Sequence, residues 1–142
     1  MSIRQFSHSL PMRLYAALDA IMPRFRRIFK EFGLTEQQWR VLRVLWDVAE
    51  IRQTELAAHT LVPAPSLVGI LDRLQSMALI ERRRSASDRR VVYIAASPQG
   101  QELRDQIMPA VQQSYFELRD SIDDEMWRNL LDGLEVLGSK KP

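Results

Sequence analysis

The sequence contains no cysteine and only two histidines, His8 and His59. Without thiols there are no disulfides, no thiolate nucleophile, no cysteine redox sensor and no Cys-rich zinc site. The histidines stand far apart, and neither has a second ligand at metal spacing, so no metal and no cofactor is expected. Long apolar runs are also missing: none approaches the ~18 residues that a membrane span needs. The stretch from Met1 to Pro11 carries Arg4 and leads into amphipathic sequence, so no signal peptide is expected, and the cytoplasm is the expected compartment. No Ser/His/Asp set, carboxylate pair, phosphate loop or metal cluster stands out, so an enzyme is not expected. No tandem repeat or low-complexity linker interrupts the chain.

What is present is one domain's length, 142 residues, with an ordinary apolar content of 46% and enough chain to bury a core. The net charge of +2 is small but unevenly spread. From Met1 to Thr35 there are six basic residues (Arg4, Arg13, Arg24, Arg26, Arg27, Lys30) against Asp19 and Glu31. From Ala64 to Ser97 there are six more (Arg73, Arg82, Arg83, Arg84, Arg89, Arg90) against Asp72, Glu81 and Asp88. From Pro98 onward five basic residues meet nine acidic ones. Basic segments beside an acidic one read either as solvated faces or as an oriented meeting with phosphate.

Apolar residues at helical spacing (Leu14, Leu18, Ile21, Phe25, Ile28, Phe32) predict a helix over Leu10 to Phe32, bent or broken near Ala20 to Met22 by Pro23 and capped by Gly33. Thr35-Glu-Gln-Gln is a capping box that opens a second helix, expected to run to about Val48 and to bury Trp39, Leu42, Val44, Leu45 and Trp46. A short helix from Gln53 or Thr54 to Thr60 follows. A turn at Val62-Pro-Ala-Pro-Ser comes next, then a helix over Ser66 to Met77 with Leu67, Ile70, Leu71 and Leu74 inward. Leu79–Arg82 and Val91–Ile94 read as two strands joined by a loop from Ser85 to Arg90. Ser97 and Pro98 open a long helix with an apolar stripe from Leu103 to Ile122, which Pro109 is expected to kink. Asp123 or Asp124 caps a last helix with Met126, Trp127, Leu130, Leu131, Leu134 and Leu137 expected inward.

The fold class expected is mainly α with a small two- to three-stranded β-wing, a winged helix-turn-helix. Residues 35–97 form the DNA-binding part, and residues 1–34 and 98–142 supply dimerisation helices. The terminal helices carry more apolar surface than a small winged helix covers, so they are expected to pair with a second copy of the chain. A helix sized for a major groove, next to an arginine-loaded ribbon, is a device for reading duplex DNA. On the second motif helix Ser66, Val68, Gly69, Asp72 and Arg73 lie off the apolar face, and all but Asp72 are candidates for DNA contact. Ser66 sits at the end that touches base edges, or is simply an exposed polar residue. Gly69 serves close packing or close approach to DNA, with packing favoured. Arg73 faces base or phosphate, because an i,i+1 pairing with Asp72 is weak on a helix. In the loop, Arg89 and Arg90 suit a narrow minor groove, and Asp88 holds an arginine in place. Arg82, Arg83 and Arg84 are expected to be phosphate ligands.

The run Ser87-Asp-Arg-Arg-Val-Val-Tyr-Ile-Ala-Ala-Ser-Pro-Gln-Gly100 resembles the wing of the multiple-antibiotic-resistance-regulator (MarR) family, with its Asp-x-Arg and the strand and glycine after it. The resemblance covers nearly the whole chain, and only Ala95-Ala-Ser97 departs slightly from the commoner leucine-threonine ending. Thr35-Glu-Gln-Gln-Trp-Arg40 and Pro65-Ser-Leu-Val-Gly-Ile-Leu71 are similar to the branch of homoprotocatechuate-degradation operon regulators, repressors of aromatic-acid catabolism. That resemblance implies a homodimer on a pseudo-palindromic operator, released by a small aromatic or phenolic acid. Such an effector needs a cation and an aromatic wall. Arg13, Tyr15, Trp39, Arg40 and Arg43 are the candidates, with His8 and Ser9 closing the site. For Trp39 core packing is the favoured role, while Arg13 and Arg40 are equally members of surface or interface ion pairs. The rival readings are a nonspecific architectural DNA binder and a winged helix used for protein contact.

Overall fold

The computed structural model describes residues 2–140. Its elements are α1 (Ile3–Ser7), α2 (Leu10–Glu31), α3 (Glu36–Leu45), β1 (Ile51–Arg52), α4 (Gln53–Thr60), α5 (Ala64–Ser76), β2 (Ile80–Arg84), β3 (Val92–Ala96), α6 (Pro98–Asp120) and α7 (Asp124–Ser139). The mainly helical, winged architecture expected from the sequence is the one observed. No helix among the described residues is long and apolar enough to cross a membrane.

Local chemistry explains most boundaries. Gly33 adopts φ +73°, and the chain turns back so that Leu34 N donates to Phe29 O at 2.9 Å, ending α2. Thr35 then caps α3 with both halves of the capping box: Gln38 N to Thr35 Oγ1 at 3.1 Å, and Thr35 N to Gln38 Oε1 at 3.0 Å. Ser97 caps α6 by accepting from Gly100 N at 3.0 Å, and Asp123 caps α7 by accepting from Met126 N at 2.8 Å.

Of the bend or break expected at Pro23, the break does not occur, and α6 is likewise continuous at Pro109. A proline deletes one helical hydrogen bond, and in these long helices the turns on either side carry the chain past the gap.

The molecule divides into two compact units. Residues 25–109 form one, and residues 1–24 with 110–142 form the other. Both helices that pass from one unit to the other do so beside their proline, α2 just after Pro23 and α6 at Pro109.

The core of the 25–109 unit is apolar side chains from every element of the winged helix: Phe29, Val41, Leu42, Leu45, Leu56, Leu67, Leu71, Leu74 and Ile94 are essentially inaccessible, and Ile51 of β1 and Ile80 of β2 are buried beside them. The sheet is antiparallel in the order β1-β3-β2, with Ile51 opposite Ile94 and Arg82 opposite Ile94 on the other side. Strand β1 is absent from the sequence expectation; two residues are too short to show a period, and pairing with β3 is what makes them a strand. Strands β2 and β3 lie one or two residues further along than expected.

In the other unit Tyr115 packs edge-on against Trp127, with ring centroids 5.6 Å apart. The face of α7 expected inward is not covered: Met126, Leu130, Leu131, Leu134 and Leu137 are each 37–55% exposed in the single chain. The helical period places these residues on one face correctly. It does not say that the same chain covers that face.

Candidate nucleic-acid interface

The helix-turn-helix is built around Thr60. Its hydroxyl donates to Leu56 O at 2.8 Å, closing the last turn of α4, and lies 3.4 Å from Val62 N across the corner. Leu61 takes a left-handed φ of 55°, and Pro63 stands at the N-cap of α5. Helix α5 buries Leu67, Leu71 and Leu74 and turns Ser66, Val68, Gly69, Asp72 and Arg73 outward. All four residues expected to reach DNA from this helix are therefore on one solvent-facing strip. A Cβ added at Gly69 would meet no heavy atom within 4 Å. The packing explanation for that glycine is thus overturned; its face is open. A cleft of about 350 Å³ lies along the strip, lined by Ser66, Gly69, Ile70 and Arg73 of α5 and by Thr35, Gln37 and Gln38 at the start of α3.

The wing is a structured hairpin with a closed loop. Ser85 N donates to Val91 O at 2.9 Å, and Val91 N to Asp88 O at 3.0 Å. At the tip, Asp88 grips Arg90 three times: backbone N at 3.0 Å, Nε at 3.1 Å and Nη2 at 3.3 Å. The Arg90 side chain is nevertheless 91% exposed. The Arg90 guanidinium and then the Arg90 backbone N–H hold the Asp88 carboxyl below the usual carboxylate range. Partial desolvation opposes the shift, and the charge of Arg52 adds to it. An exposed arginine oriented by a reliably ionised carboxylate is the arrangement expected from the sequence.

The three strand arginines are less free than expected. Arg82 reaches back to Asp72 on α5 in an ion pair. Arg83 pairs with Glu50 at 2.7 Å and lies over the Tyr93 ring at 4.6 Å. Arg84 donates to Arg89 O at 2.8 Å, bracing the loop. Arg73 and Arg89 have no ion pair among the described residues.

A second cleft, of about 210 Å³, is not evident from the sequence. It is lined by Arg52, Gln53 and Thr54 at the start of α4 and by Arg90, Val91 and Val92 of the wing. Arg52 stands opposite Tyr93 in the sheet, 5.9 Å from its ring, so Tyr93 is flanked by Arg52 on one strand and Arg83 on the other. The sequence signal for Arg52 is its place just before the first motif helix. Its neighbourhood with Arg90 depends on β1 pairing with β3.

The candidate effector residues divide between the units. His8, Ser9, Arg13 and Tyr15 belong to one, and Trp39, Arg40 and Arg43 to the other. Arg13 Nε donates to His8 O at 3.1 Å, and Tyr15 is 64% exposed. Trp39 stacks on Phe29, centroids 4.7 Å apart, and meets Trp46 edge-on at 5.6 Å. It is half-buried, so one edge of this aromatic cluster reaches the surface. Arg40 is half-buried beside it in sequence, and Arg43 pairs with Asp47 at 2.8 Å. Among the described residues no group of three or more His, Cys, Asp or Glu could hold a metal ion.

Comparison with known proteins agrees with this geometry. A profile described as MarR family matches residues 32–91. The homoprotocatechuate degradative operon repressor of Escherichia coli is 33% identical over 127 residues, 89% of this chain and 86% of that protein. The crystal structure of transcriptional regulator PA4135 superposes with a TM-score of 0.86 at 32% identity, covering 94% of this chain and 98% of that one. The crystal structure of NadR in complex with 4-hydroxyphenylacetate superposes with a TM-score of 0.81 at 30% identity, covering 94% of each chain. An exposed helix-turn-helix strip, an Asp-clamped arginine on the wing and this level of likeness along nearly the full length lead to one conclusion: the chain belongs to the MarR family of winged-helix transcriptional regulators.

Proposed function

We propose that this chain is a ligand-responsive repressor whose homodimer binds a pseudo-palindromic operator. The observation that carries this reading is Arg90, exposed and clamped by Asp88, on a wing beside the open strip Ser66–Val68–Gly69–Arg73. In this reading α5 lies in the major groove. Ser66 and Val68 meet base edges, Gly69 lets the backbone approach, and Arg73 takes a base edge or a phosphate. Arg90 enters the adjacent minor groove, where an arginine is attracted by the enhanced negative potential, while Arg89, Arg83 and Arg84 face the backbone. Residues 35–97 carry this work, and the helices of 1–34 and 98–142 make the dimer. The uncovered apolar row on α7 supports the dimer, because in water such a row favours being buried against another surface. Acting on DNA, the protein works in the cytoplasm.

The effector proposed is a small aromatic or phenolic acid, and the genes controlled include an aromatic-compound catabolic operon. Two likenesses support this: one relative is named a repressor of a homoprotocatechuate degradative operon, and one similar structure holds 4-hydroxyphenylacetate. Among the proposed effector residues, Arg40 and Arg43 offer cations and Trp39 an aromatic wall in the 25–109 unit, and in the other unit Arg13 offers a cation, Tyr15 an aromatic wall, and His8 and Ser9 polar groups. Release requires that the acid bind the conformation unable to hold DNA more tightly than the one that holds it.

The test is an anisotropy titration on the duplex upstream of the protein's own gene, against random duplex at the same salt, with and without a panel of phenolic acids. Site-preferring binding released by one acid is the expected result. Equal binding to both duplexes would point to a nonspecific binder, and no binding to a protein-contact module.

A further inference from the structure

Resting on the DNA reading above, we infer that Asp72 and Arg82 form a strut that sets the spacing between the recognition helix and the wing, so that Arg82 is a positioning residue and not a phosphate ligand. Asp72 is on the outward strip of α5, and Arg82 is on β2, ten residues later. Between them the chain makes a tight corner: Ala78 takes φ 61°, Leu79 N donates to Leu74 O at 3.0 Å, and Ser97 fastens Ala78 O and Leu79 O from the far side. That corner fixes where the strand starts. The ion pair adds a second, side-chain link between the helix and the strand beyond that corner.

Arg82 differs from the other wing arginines in its surroundings. Its side chain is 22% exposed, against 56% for Arg83 and 91% for Arg90. Its Nε is buried without a hydrogen-bond partner, and its Nη2 donates to Asp72 Oδ1. A phosphate ligand needs donors turned outward. Asp72 is the complementary anomaly. A carboxylate on the face presented to DNA repels phosphate, and pairing with Arg82 gives it a function there. Two anchor points on DNA, one in each groove, add up only if their spacing matches the duplex. A loosened strut therefore weakens site-specific binding while leaving backbone attraction intact.

The two roles for this pair predict opposite signs. As a strut, Asp72→Asn and Arg82→Gln each lower affinity for the preferred duplex about fivefold per protomer, the ratio carried by ~1 kcal/mol for an ion pair partly in water. The double variant loses no more than either single change, and the reversed pair (Asp72→Arg with Arg82→Asp) recovers part of the loss. Random-duplex affinity and the salt slope stay as in the wild type. If Arg82 were a phosphate ligand, Asp72→Asn would bind more tightly, and Arg82→Gln would lower the salt slope by about 0.9 for each phosphate it had neutralised; either result overturns the strut. Equal losses on preferred and random duplex, tracking a fall in Tm, would also overturn it in favour of simple folding support. Hydrogen exchange of the DNA-free protein separates this proposal from the DNA reading. Faster exchange of β2 and β3 amides in Asp72→Asn, with α5 unchanged, is expected. Unchanged exchange rejects the strut even if the operator reading holds, and loss of site preference in the wild type rejects the operator reading whatever the exchange shows.

Discussion

The indole Nε1 of Trp46 donates a hydrogen bond of 2.9 Å to the carbonyl oxygen of Gly100, 54 residues away. This bond ties the end of α3 to the first turn of α6 and satisfies a buried indole that would otherwise be costly. Gly100 also approaches the backbone of Leu79 closely: a Cβ at this position would stand 2.2 Å from Leu79 O and 3.2 Å from Leu79 C.

That closeness makes Gly100→Ala a sharp test of the packing. The obstacle is backbone at the root of the wing, which cannot rotate away as a side chain can. The substitution is expected to destabilise the fold by about 3 kcal/mol, in the range of overpacked cores. Urea denaturation with an unchanged midpoint would contradict the close approach.

Gly69→Ala is expected to behave in the opposite way. The site is helical and open, so alanine should raise stability by ~0.5–1 kcal/mol through its helix propensity. On DNA the added methyl should weaken specific binding, because the backbone there is proposed to approach the duplex. A variant more stable than wild type and equally tight on DNA would remove Gly69 from the interface.

Arg90→Ala should cut operator affinity at least tenfold while leaving the thermal transition and oligomeric state unchanged, since the side chain is almost wholly in solvent. The salt slope should also fall, by about 0.9 for each phosphate charge no longer neutralised. Wild-type affinity in this variant would end the wing assignment.

The wing clamp should be insensitive to pH in the neutral range. Asp88 has a carboxyl pKa lowered in the fold, chiefly by the Arg90 side chain. A depressed acid pKa gives a contribution that is fully present above the unfolded value of about 3.9 and is lost as pH falls through the lower folded value. Between pH 5 and 8 the clamp therefore stays formed. A carboxyl carbon-13 titration of Asp88 should show its midpoint below that of an unperturbed aspartate; a midpoint above it would mean that Arg90 does not hold the carboxylate in solution.

Arg40→Ala should impair release by the effector more than it impairs DNA binding. The expected signature is near-normal operator affinity with a rise of tenfold or more in the phenolic acid concentration needed for half-release. An unaltered release curve would take Arg40 out of the pocket.

Much of the winged helix is legible in the residues themselves. The capping box at Thr35, the glycine stop at Gly33 and the Ser97 and Asp123 caps are local hydrogen-bond chemistry, and each forms where its residues stand. The Asp88–Arg90 clamp is legible for the same reason, because its partners are two residues apart. What escapes is non-local. Strand β1 exists because Ile51 and Arg52 meet Ile94 and Tyr93. Arg82 reads as a free cation in the sequence because Asp72 is brought to it only by the helix–strand corner.

The sequence by itself determined the order of the longer elements, the outward strip on the recognition helix and the placement of charge at the wing tip, because periodicity, capping and turn chemistry act over a few residues. Only the tertiary structure decided which arginines are engaged and which are exposed: Arg82 to Asp72, Arg83 to Glu50 and Tyr93, Arg90 outward at the tip. It also decided that the apolar row of α7 lies open within one chain. Ion pairing and burial depend on what the folded chain brings within a few ångströms, and neither composition nor spacing carries that distance.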